Sequence, residues 1–280
     1  LVTTFFFYNK KLVQAAGLDF EANPPKSTDE FNAAMEKIKA TGVTPIVSDE
    51  GGWPAFLYFI ANIWWKSVSG AETFAKHNSG EMKFADDQAL IKMLEYYNSL
   101  YKNGYFNKDT ASSSDARNRF MQGKAALIAD GNWGIADMYA AFKDDVGILA
   151  PPYMPDAQVK GAVIGGPGQC LAIANYTKHP EMVMKLITFL SSKPECIELS
   201  KSLSKIPIRK DITPEEVGFA GNPLQQKVFE FSKNFIFWPD NTLVIDAMDE
   251  LAKVAPLVLV GKMSPQDAAA AMDKKMAEVK

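Results

Sequence analysis

In this 280-residue chain, the residues that could do chemistry sit in short polar loops after apolar runs, and three of these loops carry a Trp. Ser48-Asp49-Glu50-Gly51-Gly52-Trp53-Pro54 follows Val43–Val47, and Asp130-Gly131-Asn132-Trp133 follows Ala125–Ala129. Trp238-Pro239-Asp240-Asn241 follows the aromatic-rich run Phe229–Phe237. Indole faces cover apolar carbon, whereas carboxylates and amides take hydroxyls in directed bonds. Trp53, Trp133 and Trp238 beside Glu50, Asp115 and Asn241 therefore supply the mixture that holds a small polar molecule with apolar faces. Each residue also has a plainer reading. An isolated Trp is often core, Asp49 and Glu50 suit the positive end of a helix dipole, and Asp115 and Arg117 at a helix start can simply face solvent.

Other chemistries have weaker support. Cys170 and Cys196 have no metal-ligand spacing, and only His77 and His179 could join them, so two buried free thiols are the expectation. Val163-Ile164-Gly165-Gly166-Pro167-Gly168 is Gly-rich but lacks a phosphate-loop pattern, and Pro167 removes an amide donor. Gly165 and Gly166 are better read as a place where the backbone changes lobe or approaches a neutral ligand. Glu50 and Asp130 could be offered as a glycosidase carboxylate pair, but no spacing rule fixes their separation. The balance of these readings is a binding protein without cofactor or metal, not an enzyme.

Composition agrees. A hydrophobic content of 47% with 22% charged residues is ordinary for a globular chain, and 280 residues suggest two lobes. A net charge of −3 with no basic stripe argues against nucleic acid as partner.

The elements that must position the loops follow from local signals. Val2–Tyr8 reads as a strand, and Asn9–Ala16 as a short helix stopped by Gly17. Ser27 and Glu30 form a capping-box pair before a helix with Phe31, Ala34, Met35 and Ile38 on one face. A helix is predicted over Ala55–Trp65, and Leu90, Leu94, Tyr97 and Tyr101 mark a core-facing stripe. Ser112–Asp115 caps Ala116–Met121, and Pro151–Pro155 is the best linker signal. A strand over Cys170–Ala174 is predicted, as is a helix over His179–Leu190 with Val183, Leu186, Ile187 and Leu190 on one face. Thr213–Glu216 reads as a further helix start, and Thr242–Val260, interrupted by Pro256, and Ser264–Glu278 as two closing helices. Crossings between lobes are expected near Leu1–Phe5, Gly161–Gly165 and Ile206–Arg209.

Taken together, FFFYNKKLVQAAGLD, NPPKSTDEF, FMQGKAALIADGNW, the Gly165-Gly166 turn, HPEMVMKLITFLSS and KIPIRKD occur in an order that resembles the family 1 extracellular solute-binding proteins of carbohydrate ABC importers, maltose-binding protein among them. The resemblance covers essentially the whole chain. It implies an α/β fold of the periplasmic-binding-protein type II, with two lobes joined by crossing strands and closing on a mono- or oligosaccharide. It further implies residues 1–5 as a hinge strand, 6–160 as the main part of lobe two, 161–207 as a returning part of lobe one and 208–280 as lobe-two helices. Trp133 matches the family's stacking aromatic; Trp53, Glu50, Trp238, Asp115, Asn241 and Gly166 complete the implied ligand-binding set. Val2 stands where maltose-binding protein has an acidic contact. The implied partners are ABC permease subunits and a missing N-terminal lobe segment, with the protein a monomer outside the cytoplasm, periplasmic or lipid-anchored. Because half the sugar contacts would come from that segment, calorimetry on this chain alone should show weak or no sugar binding.

Overall fold

The structure, a computed structural model, describes residues 1–279 except Gln169, Ser204 and Ile208; the side chains of Ala220 and Asp240 are likewise not described. The expected crossing at Ile206–Arg209 and the proposed boundary at 208 therefore fall partly outside the described residues.

The sheet is built around β1 (Val2–Asn9), whose eight residues are all buried. The other strands are β2 (Thr44–Val47), β3 (Ala125–Gly131), β4 (Val146–Leu149), β5 (Val163–Gly166) and β6 (Phe235–Phe237), in the order β2-β3-β1-β5-β6 with β4 also on β1. β1 pairs antiparallel with β3 over Thr4–Tyr8, with β4 over Phe6–Asn9 and with β5 over Val2–Thr4. β2 lies parallel to β3, and β5 parallel to β6. Every other strand thus runs against β1, with its carboxyl end toward the edge where β1 begins.

Helices cover both faces, as a strand buried on two sides requires. They are α1 (Lys10–Ala15), α2 (Thr28–Ala40), α3 (Asn62–Ser79), α4 (Gln88–Lys102), α5 (Ala116–Met121), α6 (Ile135–Phe142), α7 (Pro180–Leu190), α8 (Lys193–Leu203), α9 (Pro223–Phe231), α10 (Ile245–Leu259) and α11 (Pro265–Val279). Side-chain alternation in β1 divides the core. Phe6 and Tyr8 join Phe31, Trp64, Tyr97 and Leu251 on one face, while Phe5 and Phe7 join Phe120, Met138 and Leu224 on the other. Cys196, Ile212, Val217 and Phe219 form a separate small core.

Local signals behave as physical chemistry dictates. Ser27 accepts from the Glu30 amide at 3.3 Å, and Glu30 accepts from the Ser27 amide at 3.2 Å, completing the capping box. Asn9 caps α1, and Gly17 leaves it with φ of 71°.

Several expectations are corrected. No strand forms over Cys170–Ala174, and Cys170 is exposed while only Cys196 is buried; both thiols are free. Thr213 and Glu216 do make reciprocal capping bonds at 2.8 and 3.4 Å, but only turns and a short 3₁₀ helix, Phe219–Gly221, follow, and the α-helix begins at Pro223 behind an Asn222 cap. The predicted helix over Ala55–Trp65 contains a π-helical turn, Leu57–Ala61, and continues as α3 to Ser79 across a kink at Gly70, whose φ is 75°. Pro256 does not interrupt α10. The apolar stripe of α7 is not packed away: no residue of α7 is buried, and Met182, Leu186 and Phe189 are each more than half exposed.

Phe6 stacks on Phe31 with centroids 5.3 Å apart and lies 5.7 Å from Phe56. Phe6→Ala should lower the free energy of unfolding by about 3–5 kcal/mol, measured by denaturant titration, because the sheet cannot close the cavity left behind.

Candidate functional site

The strand directions bring the Trp-bearing tips to one edge. Val47, Gly131 and Phe237 end β2, β3 and β6 there, and Gly166 ends β5. In open α/β sheets, ligands bind beyond the carboxyl ends of strands. The opening residues of β1 tie the tips together. The Thr3 amide donates to Asn132 Oδ1 at 3.1 Å, and Thr4 Oγ1 donates to the Phe59 carbonyl at 2.8 Å. Thr3 pairs with Gly165, whose carbonyl accepts from the Trp238 amide at 3.0 Å.

Two of the three indoles form one aromatic shelf. Trp53, 54% exposed, stacks on Tyr58 with centroids 4.7 Å apart and rings 2° from parallel. Phe59 meets Trp53 edge-on at 5.0 Å and Trp133 at 5.3 Å. Sequence reading missed Tyr58 and Phe59, because they were absorbed into a regular helix. The π-helical turn that presents them leaves only an adjacent aromatic pair after the Trp53-Pro54 tip as its signal. Gly131 is required here: a Cβ on it would overlap the Trp133 ring.

A cavity of about 230 Å³ opens beside the shelf, lined by Asp49, Phe59, Arg117, Asp130 and Trp133 among others. Asp130 is almost wholly buried and takes Arg117 Nε at 3.0 Å, its own Gly131 amide at 2.7 Å and the Trp133 side chain. Burial pushes its carboxyl up from the ordinary value, and the Arg117 charge opposes that. The other arm of Arg117 reaches Asp137 at 3.0 Å. Asp49 accepts from Ser113 Oγ at 2.5 Å and from the Ala116 amide at 2.8 Å, so it caps α5 from across the sheet edge.

The remaining expected residues divide. Glu50 is not on the cleft: it is fully buried, accepting from Phe56 N–H at 2.7 Å, Leu57 N–H at 3.5 Å and the hydroxyls of Ser48 and Tyr97. Its place at the head of the π-helical turn satisfies amides that the turn leaves open, at the cost of desolvating a carboxylate. Asp115 pairs with Arg119 at 2.7 Å and is half exposed, so it faces solvent. Gly166 and Asn241 touch: a Cβ on Gly166 would overlap Asn241 Oδ1. Trp238 is half-buried against the larger core, apart from the aromatic shelf, and its indole N–H is buried without a partner among the described residues. No group of three or more His, Cys, Asp or Glu among the described residues could hold a metal ion. No helix among them is long and apolar enough to cross a membrane.

Comparison with known proteins decides the family. Residues 1–224 match the model of the bacterial extracellular solute-binding proteins.

The chain belongs to that family. That family is one of solute-binding proteins and is non-enzymatic, so the alternative of a Glu50–Asp130 hydrolytic pair falls, in keeping with the burial of Glu50. A Pyrococcus horikoshii ABC transporter extracellular-binding protein is 29% identical over 75% of this chain and 47% of its own length. The sn-glycerol-3-phosphate-binding periplasmic protein UgpB of Shigella flexneri is 26% identical over 95% of this chain and 62% of its own. The chain thus spans about half to three-fifths of the length of these curated relatives. Among solved structures, a chitin oligosaccharide binding protein superposes with a TM-score of 0.83 at 21% identity, over 99% of this chain and 69% of that one. The sugar-binding protein MalE of Xanthomonas citri gives 0.75 at 20% identity, over 99% and 68%. The fold is therefore that of the type II periplasmic binding proteins. The family is one of extracellular or periplasmic solute-binding proteins.

Burial raises the Glu50 carboxyl from 4.5 to about 7, outweighing four donors that favour the charged form. A folded-state value above the unfolded one stabilises the fold below about pH 4.5, and that stabilisation is lost as pH rises through 7. Relative to Glu50→Gln, the wild-type thermal midpoint should therefore fall between pH 5 and pH 8. The fall should be on the order of 6 °C, from a linkage term of at most about 3 kcal/mol. Calorimetric melts of both proteins across that range measure it.

Proposed function

We propose that this protein binds a mono- or oligosaccharide outside the cytoplasm and delivers it to ABC permease subunits, closing on it as a clamshell. The observation that carries the reading is the Trp53–Phe59–Trp133 shelf beside Asp49, Asp130 and Arg117 at the carboxyl edge of the sheet. Pyranose rings present C–H faces to aromatic rings and hydroxyls to carboxylates and guanidinium groups. Gly166 sits two strands from β3, and Trp238 and Asn241 follow β6, three strands from β3, on the same edge, where a longer sugar would reach them. The sugars named for the solved structures of the same fold, chitin oligosaccharide and those bound by MalE, support the same class.

In this reading residues 1–5 are a hinge strand, 6–160 the main part of lobe two, and the segment from 161 part of lobe one. The small core that joins Cys196 to Ile212, Val217 and Phe219 moves the boundary we propose from 207 to the start of α9. The exposed apolar residues of α7 fit coverage by a further lobe-one segment, such as the longer relatives have room for. Closure then works by population shift, because only the closed form lets both lobes touch the ligand. The working protein is a monomer, periplasmic or lipid-anchored at the outer face of the membrane.

Trp133→Ala in the full-length protein should weaken binding of its sugar by about tenfold to a hundredfold, the loss of one buried aromatic anchor, with the melting transition still cooperative. Isothermal calorimetry after a thermal-shift screen of neutral sugars measures this. Unchanged affinity would remove the shelf from the site.

A further inference from the structure

The charges around the cavity under Trp133 bear on which ligands this half of the site accepts, an inference that rests on the carbohydrate reading above. Arg117 is the one cation lining the cavity among the described residues, and so the group that a phosphate or carboxylate would seek. It is already held on two sides. Asp130 Oδ2 lies 3.0 Å from its Nε and 2.8 Å from Nη2, and Asp137 Oδ2 lies 3.0 Å from Nη1. Two carboxylates therefore offset the guanidinium charge before any ligand arrives, although Nη2, close to Asp130 in charge contact, makes no hydrogen bond among the described residues. Asp49 adds a further carboxylate to the lining, with only a hydroxyl and the α5 amide at Ala116 as partners.

No neighbouring cation among the described residues is spare. Arg119 is taken by Asp109 at 2.7 Å and Asp115 at 2.7 Å. Lys66 is buried further along α3, with its ammonium 2.8 Å from Thr242 Oγ1 and 3.4 Å from the Trp238 carbonyl. Two carboxylates, Asp49 and Asp130, thus line the cavity with one guanidinium, and a third, Asp137, pairs with that guanidinium from outside the lining. A hydroxyl can donate to Asp49 or Asp130, whereas an oxyanion would meet like charge in a half-buried space.

We infer that this half of the site selects uncharged sugars and rejects phosphorylated ones, with Asp137 as a specificity-determining residue that keeps Arg117 from acting as a phosphate clamp. Asp137 is well exposed at the start of α6, so its removal does not threaten the fold.

The test is calorimetry on the full-length protein with two sets of probes: maltose, laminaribiose and chitobiose, against glucose 6-phosphate and sn-glycerol 3-phosphate. At least one neutral probe should bind, with the phosphate esters about a hundredfold weaker or worse. Asp137→Asn should narrow that gap by about tenfold, and the residual binding of the esters should weaken steeply with added salt. An ester bound as tightly as the best neutral sugar, or a gap unmoved in Asp137→Asn, overturns the inference while leaving carbohydrate binding intact. Silence across both sets defeats the carbohydrate reading and the inference with it.

Discussion

The start of β1 holds this site together. Within three residues, Val2–Thr4, the strand pairs with β5, donates its Thr3 amide to the Asn132 side chain and donates its Thr4 hydroxyl to the Phe59 carbonyl. Through Gly165 it also reaches the Trp238 amide. The Phe59 shelf and two of the Trp tips are thus anchored to one short stretch of buried backbone. Because every other strand opposes β1, the edge where it begins is the edge where they end, and the loops that leave them cannot emerge anywhere else. The Thr4 hydroxyl matters for the same reason, whereas that of Thr3 is buried with no partner among the described residues. A hydroxyl on a buried strand needs an acceptor, and Thr4 finds it in the turn that displays the shelf.

Glu50 shows how such a turn is kept. A π-helical turn costs backbone hydrogen-bond geometry, and its first amides have no helical partner. Glu50 takes two of them, and Tyr97 and Ser48 complete the carboxylate's coordination from α4 and from the tip itself. Side chains that sequence pattern ranks as ligands can therefore serve one step back, fixing the residues that face the solute. Asp49, its neighbour, caps α5 yet still lines the cavity. Adjacent acids in one polar loop thus divide between support and surface.

β1, β2 and β3, the Ser27–Glu30 capping box and the Trp-bearing tips were legible because each depends on neighbours in sequence, such as apolar runs, Ser27 with Glu30 and a Gly close before Trp53 and Trp133, whereas β5 and β6 were not read as strands. The fold class was legible through the order of several weak motifs. What could not be read depended on distant partners. Whether Glu50 faces a cleft turns on Tyr97, 47 residues away, and the state of Arg117 turns on Asp130 and Asp137. Thr213 and Glu216 formed their local bonds and still failed to start a helix, because a cap lowers the cost of a helix without supplying the packing that sustains it. Cys170–Ala174 alternates like a strand but lies exposed and irregular, since it has no neighbouring strand in the described sheet to pair with.

The two ends of the sheet edge are built differently, and that difference bears on mechanism. The half that carries Trp53 and Trp133 is backed by the largest core, with Phe56 packed against Trp64, Tyr97 and Phe106 behind the turn. Such packing holds ring positions to a narrow range, which lowers the ordering cost of binding. The segment beyond β5 has a small core around Cys196 and an α7 whose apolar side chains remain in solvent. A ligand that first settles on the well-packed shelf meets a preformed surface. Any partner surface contributed from the α7 side must be brought to it, through backbone that passes Gly165 and Gly166 beside Thr3. In the clamshell closure we propose, motion and recognition would be separated in the chain: the indoles sit on the stiffer element, and the movement would fall to the strands that β1 joins at its first three residues.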